Sequence, residues 1–257
     1  MNAIKTFYKK IFSEKIRINN RKNLKKLNGL FLKGNNFYCN CCEQSFSKFL
    51  DKSNGIDNRE NAECPNCGSL ERTRVLLEFI KNETDLLVKP NKLLHIAPED
   101  ALKNIFKQTD NLRYINADIN INLADEEMDI TSINYPDNTF DYIICCHVLG
   151  HIPNEKKAID ELFRVLKKGG KALIQTPIHP INNTFENAEF KTEEERLKNY
   201  GEKDLLRLHG QDFQERLKRE NIIVEKIDYR NKIDHNLAKK LSVGNGYREL
   251  IFLCQKV

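Results

Sequence analysis

Two cysteine pairs constrain this chain more than any other feature. Cys39-x-x-Cys42 is followed by Cys64-Pro65-Asn66-Cys67-Gly68. Each C-x-x-C turn presents two thiolates from one tight loop, so two such turns supply the four corners of a tetrahedron around zinc. The residues between them are polar and too few to bury a core of their own. A metal staple is what lets such a segment fold. Gly68 permits the turn behind the second pair. Cys41 is spare; it could replace a neighbour, but the spacing prefers Cys39 and Cys42. Four thiolates leave no open coordination position, which makes the expected zinc structural rather than catalytic. Cys145, Cys146 and Cys254 fall in apolar runs, as buried thiols of a reducing compartment do.

The rest of the 257-residue chain divides around this module. Residues 1–33 carry ten Lys and Arg and one acid, Glu14, a balance of +9, which leaves −4 on the remainder of a chain totalling +5. A broad nucleic-acid-binding face on the body is therefore not expected. Ile4, Phe7, Tyr8, Ile11 and Phe12 recur at helical spacing with Lys5, Lys9 and Lys10 off the stripe, predicting a helix over 1–18. That helix either packs on the body or makes a weak peripheral contact with an anionic membrane surface. Residues 19–28, polar and basic, suit a linker. No apolar run approaches the roughly 20 residues of a membrane span, and no signal-peptide pattern opens the chain, so a cytoplasmic address is expected, with the inner membrane face as the peripheral variant.

From residue 90 strands and helices alternate. Strands are predicted over 92–97, 114–118, 140–146, 171–176, 222–229 and 249–254, and helices over 69–81, 100–107, 155–166 and 211–220, with Gly169-Gly170 ending the third of these. This order implies an α/β sheet of parallel strands with helices on both faces. The units are a basic amphipathic segment (1–34), a zinc-binding module with a linking helix (35–85) and an α/β domain (86–257).

Several blocks of that domain resemble class I S-adenosylmethionine-dependent methyltransferases. They are Phe140-Asp141-Tyr142-Ile143-Ile144-Cys145-Cys146-His147 at the fourth strand, Arg164-Val165-Leu166-Lys167-Lys168-Gly169-Gly170 before the fifth, and Asp129-Ile130-Thr131 ahead of Tyr135-Pro136-Asp137. Cys64 to Arg72 joined to Leu94-His95-Ile96-Ala97-Pro98-Glu99 is similar to a bacterial subgroup that carries a zinc ribbon in front. The resemblance covers roughly 36–257 and implies a Rossmann-like methyltransferase sheet preceded by a small zinc-ribbon module. Three departures stand out. The turn after the first strand lacks the usual glycine, Gly150 stands where the subgroup has Glu, and Leu205 stands where it has His.

On this reading the cofactor, S-adenosylmethionine, lies across the carboxyl ends of the strands. Asp118, ending the second strand, is placed to accept hydrogen bonds from the ribose hydroxyls; Asp129 with the backbone N–H of Ile130 reads the adenine. His95, Ala97 and Glu99 line the turn under the methionine portion, and Cys146 and His147 leave the fourth strand beside the sulfonium. Asp118 and Asp129 have a plainer role open to them, as turn and helix caps. A hydroxyl acceptor needs a base, for which His147, His151 and His179 follow the fourth and fifth strands. Thr184, Glu186, Asp204 and Arg207 are the candidates to meet the acceptor, Arg207 through a carboxylate or phosphate. The acceptor expected is a small molecule or a sugar hydroxyl of a glycan. RNA methylation through the zinc module and basic arm, and a non-catalytic protein retaining the fold, are the competing readings.

Overall fold

The computed structural model describes residues 11–53, 58–244 and 247–257. A helix, α1 (Glu14–Phe31), leads into two short hairpins, β1 (Lys33–Cys39) with β2 (Gln44–Phe46) and β3 (Leu50–Ser53) with β4 (Asn58–Glu63), and then into α2 (Glu71–Glu83). Residues 19–28, expected to be a linker, lie inside α1. Their polarity is matched by the body: Lys22 meets Asp100 at 2.6 Å, Lys25 meets Glu63 at 2.7 Å, and Gly29 sits so close to Asn66 that a Cβ would come within 2.8 Å of its side chain. The first ten residues of the predicted helix over 1–18 lie outside the described residues, and Ile11 to Ser13 precede α1.

The α/β part follows as β5 (Asn91–Ile96), α3 (Asp100–Lys107), β6 (Leu112–Asp118), β7 (Glu126–Glu127), β8 (Phe140–Cys146), α4 (Glu155–Val165), β9 (Leu166–Gln175), α5 (Glu193–Tyr200), α6 (Phe213–Leu217), β10 (Ile222–Ile227), α7 (His235–Leu241) and β11 (Ile251–Lys256). Seven strands form one sheet in the order β10-β11-β9-β8-β5-β6-β7. Neighbours from β9 to β7 are parallel, and β11 runs antiparallel to β9 and β10. The chain moves outward from β5 to β7, then returns to the other side of β5 as β8. The strand order therefore reverses between β5 and β8, and a crevice opens at their carboxyl ends.

Both faces of the sheet are covered. Along β8, Ile143 and Cys145 pack with Ala158, Leu162 and Phe213 from α4 and α6. Tyr142, Ile144 and Cys146 pack on the other side with α2, α3 and the cysteine module. Alternation along a strand places successive side chains on opposite faces, and an apolar run such as β8 is what burial on both faces demands. Gly169 and Gly170 do not end α4. The helix stops at Val165 and β9 begins at the next residue, with a register shift against β8. The helix end is instead met by the buried Lys256 ammonium, which donates to the carbonyls of Phe163 and Leu166 at 2.7 and 2.8 Å, satisfying groups that a helix terminus leaves open.

The cysteine module shares its core with the α/β part, and Arg74 of α2 holds the two together. This guanidinium is fully buried. It donates to the carbonyls of Ser69 and Ala62 on the module side and of Leu241 and Ser242 at the end of α7, at 2.6–3.3 Å, and stacks over Phe49 at 4.7 Å. Removing it strands several buried acceptors, each costing about 1–3 kcal/mol. Arg74→Ala is expected to lose about 3 kcal/mol or more of unfolding free energy in urea denaturation, and Arg74→Lys to recover only part of it.

Candidate functional site

Two residues at the reversal point adopt backbone conformations that favour glycine. Ala97, just past β5, has φ 48°, and His147, just past β8, has φ 57°. Their N–H groups are held by the neighbouring strands, Ala97 donating to Ala117 O at 2.8 Å and His147 to Gln175 O at 2.7 Å. Left-handed non-glycine residues cost roughly 1–2 kcal/mol each and persist where the surroundings enforce them. The glycine-free turn therefore takes the shape that a glycine would ease.

In front of these residues lies a cleft of about 580 Å³, walled by Ile96, Ala97, Asp118, Met128, Ile130 and His147. Asp118 and Asp129 stand on its rim, and each also organises a turn. Asp118 Oδ1 accepts from Asn120 N at 2.8 Å, and Asp129 Oδ1 accepts from the backbone and hydroxyl of Thr131, both at 2.8 Å. In each case Oδ2 has no partner among the described residues.

His95 and Glu99, expected under the cofactor, do not line this cleft. His95 is fully buried, with Nδ1 3.1 Å from the Tyr114 hydroxyl and Nε2 3.6 Å from Glu99. Glu99 turns towards α2, meeting Thr73 at 3.5 Å and Arg72 at 3.4 Å. Burial alone would raise its carboxyl; His95 and Arg72 outweigh that and hold it below its ordinary value. Glu99 precedes α3 as its N-cap, so its side chain points behind the turn. Cys146 is also buried, its thiol pushed well up by burial, which leaves it a neutral packing group.

A second groove, of about 810 Å³, runs between the cysteine module (Lys52, Arg59) and the segment from Leu197 to Asp204. The two depressions share His147, His151 and Asp204. Burial, then Arg72 and Arg248, push the His147 imidazole well below its usual value, so it is neutral. Its Nε2 is buried with no hydrogen-bond partner among the described residues. His151 is partly exposed, with Nδ1 3.6 Å from Asp204 and Nε2 4.0 Å from Glu202.

The remaining candidates lie elsewhere. His179 sits in a separate cleft with Asn182 and Tyr200, and its Nδ1 accepts from Ile181 N and Asn182 N at 3.3 and 3.0 Å. Thr184 bonds Asp212 through both N and Oγ1, at 2.6 and 2.8 Å. Arg207, expected to face an acceptor, is 2% exposed. It donates to the carbonyls of Leu149, Ile152 and Pro153 and to Glu186 at 2.8 Å, and so clamps the turn that carries His151. Of the four acceptor candidates only Asp204 reaches the junction. The two substituted positions touch: a Cβ on Gly150 would come within 2.8 Å of Leu205 Cδ1, and Leu206 N donates to Gly150 O. An apolar contact thus occupies the place where the resemblance implies a Glu and a His.

The four cysteines converge. The sulfurs of Cys39, Cys42, Cys64 and Cys67 all lie within 4.8 Å of one another, Cys41 being outside the set. Cys39 and Cys67 are 3.5 Å apart and Cys42 and Cys64 3.8 Å. Sequence reasoning missed a buried relay in which His209 Nδ1 meets Thr176 Oγ1 at 2.7 Å and Nε2 meets Glu155 at 2.6 Å, while Glu155 also pairs with Arg216. No local motif marks His209, whose partners come from the residue after β9 and from α4. Arg72 and Arg248 were missed for the same reason.

Residues 109–174, from just before β6 to the penultimate residue of β9, match the methyltransferase-domain family. The ubiquinone/menaquinone biosynthesis C-methyltransferase UbiE of Cronobacter sakazakii is 26% identical over 133 residues, 48% of this chain and 52% of that protein. The UbiE of Hydrogenovibrio crunogenus is 42% identical over 43 residues, 17% of each chain, and the probable methyltransferase ltbC of Aspergillus luteorubrus is 48% identical over 44 residues, 16% of this chain and 15% of that one. The matched stretches span about half or less of these relatives' own length. Among solved structures, the YcgJ protein of Bacillus subtilis aligns at 15% identity with a TM-score of 0.46, over 71% of this chain and 98% of that one.

The relay has a measurable consequence. Burial holds the His209 imidazole below its ordinary 6.5 in the folded protein, although Glu155 opposes this. The unfolded chain binds the proton first, so the relay's stability is full above pH 6.5 and is lost as pH falls towards the lower folded value. His209→Ala is expected to cost on the order of 2 kcal/mol at pH 7.5 and visibly less at pH 5.5, in urea titrations of both proteins.

Proposed function

We propose that this chain is an S-adenosylmethionine-dependent methyltransferase that acts on a small molecule or a sugar hydroxyl. The observation that carries the reading is the meeting of two depressions at His147, His151 and Asp204, the first lined mostly by residues of the stretch that matches a methyltransferase domain. When bound, S-adenosylmethionine supplies a methyl carbon activated by its sulfonium. The first cleft fits it: Asp118 and Asp129 offer unengaged carboxylate oxygens for ribose and adenine, and Ile96, Met128 and Ile130 give apolar walls. Alignment of the two partners and exclusion of water then account for much of the acceleration.

His151 is the better of the two junction imidazoles as a base. Asp204 beside it would accompany an imidazolium as the acceptor hydroxyl loses its proton. His147, buried and flanked by arginines, resists protonation and serves to shape the junction. RNA is a poorer acceptor, because the cations along the groove are already paired: Lys52 with Glu63, Arg59 with Glu71, Arg72 with Glu99 and Lys203 with Glu193. Asp118→Ala is expected to weaken binding of S-adenosylmethionine or its demethylated product by on the order of 2–4 kcal/mol in isothermal titration. Unchanged affinity would overturn the placement of the ribose, and no binding by the wild-type chain would overturn the reading itself.

The same reading includes one structural zinc held by Cys39, Cys42, Cys64 and Cys67. A tetrahedron with Zn–S bonds of about 2.3 Å has sulfur–sulfur edges of about 3.8 Å, close to the separations between these sulfurs. Metal analysis is expected to find one zinc per chain, and Cys64→Ser to lose both the metal and several degrees of thermal stability. A variant with unchanged metal content and stability would remove zinc from the proposal.

A further inference from the structure

The helix α1 presents its apolar side away from the protein. Successive residues turn by about 100°, which gathers Leu24, Leu27, Leu30, Phe31 and Ile16, with Asn20 and Asn23 among them, into an arc of about 120° opposite Gly29 and Lys25. The exposures agree: Leu24 is 60% exposed, Leu27 51%, Leu30 62% and Phe31 86%, whereas Gly29 is buried against the cysteine module. This reverses the arrangement of an ordinary surface helix, whose apolar stripe faces the core. The helix is held that way round by contacts on its other side, Lys22 to Asp100, Lys25 to Glu63, and Glu14 to Asn120 and Asn122 at 3.1 and 3.3 Å.

Charge says what covers the stripe. Lys15 and Lys26 border it on one side and Arg17 and Arg21 on the other, and none of the four has an ion-pair partner among the described residues. A second copy of this helix would bring the two sets of cations together. RNA would use the cations and the Phe31 ring but find no partner for Ile16, Leu24, Leu27 and Leu30. A bilayer with anionic headgroups satisfies both, since an apolar face enters the acyl boundary while flanking Lys and Arg lie at headgroup depth. With 18 residues, α1 is about 27 Å long, and no described helix is long and apolar enough to cross a membrane.

We propose that α1 docks the protein onto an anionic lipid surface, lying in the plane of the interface with Leu24, Leu27, Leu30 and Phe31 inserted and Lys15, Arg17, Arg21 and Lys26 on headgroup phosphates. The proposal stands apart from the methyltransferase reading, since α1 borders neither cleft.

The test is co-sedimentation of the full chain with vesicles of phosphatidylcholine, with and without a quarter phosphatidylglycerol. Binding is expected only to the anionic vesicles and is expected to fall as salt is raised. A Leu27→Asp, Phe31→Asp variant should bind at least tenfold more weakly. An Arg21→Glu, Lys26→Glu variant should lose more than the roughly fivefold that one basic residue contributes. Both pairs face outward, so circular dichroism and metal content should be unchanged. Equal pelleting of wild type and both variants would overturn the proposal, as would equal binding to the two vesicle types or none to either. It would also fall to a dimer in sedimentation velocity that Phe31→Asp dissociates, or to an RNA shift without vesicle binding.

Discussion

The buried guanidinium of Arg74 is the interaction on which the arrangement of this molecule depends. A charge taken from water is tolerated only when hydrogen bonds replace its hydration, and here backbone carbonyls from two separate parts of the chain do so. Because its partners are main-chain atoms, Arg74 fixes where the segments run and leaves their side chains free. Asn40, inside the first cysteine pair, donates to the Arg74 carbonyl at 2.9 Å and to Glu78 at 2.8 Å. The module is thus anchored at both hairpins to α2, which packs on the sheet.

That anchoring has a consequence at the strand ends. The second groove exists because the module's Lys52 and Arg59 face the segment from Leu197 to Asp204 across the end of β8. A module that swung freely would leave the junction at His147 and His151 open on one side. Burial, with Arg72 of α2, Arg248 before β11 and, to a lesser extent, Arg59 of the module, disfavours the His147 imidazolium.

The contact between Gly150 and Leu205 carries a related lesson. Taken separately, each is an isolated departure from the pattern that the sequence resembles. In space they form one apolar contact, and a larger side chain at 150 would collide with Leu205. Their neighbours His151, Glu202 and Asp204 supply the polar groups at that place. Arg207, between Leu205 and His209, fastens the whole turn to the body.

Features set by local spacing were legible from the sequence. The two C-x-x-C turns announced the convergence of Cys39, Cys42, Cys64 and Cys67, because four residues of chain dictate how two sulfurs can be presented. The strand over Phe140–Cys146 and the helix over Asp100–Lys107 were legible because apolar periodicity is a one-dimensional property. Asp118 was placed at a strand end by the same reasoning. Tertiary structure decided what depends on partners far along the chain. Whether residues 19–28 form a helix rested on Asp100 and Glu63, and where α4 stops rested on Lys256, ninety residues away. Glu99 faces α2 and Arg207 faces carbonyls because buried charges go where hydrogen bonds meet them, and the sequence order carries no record of that distance. The outward apolar side of α1 belongs to this second class: its periodicity is local, but which side meets water was decided by the ion pairs on the opposite face.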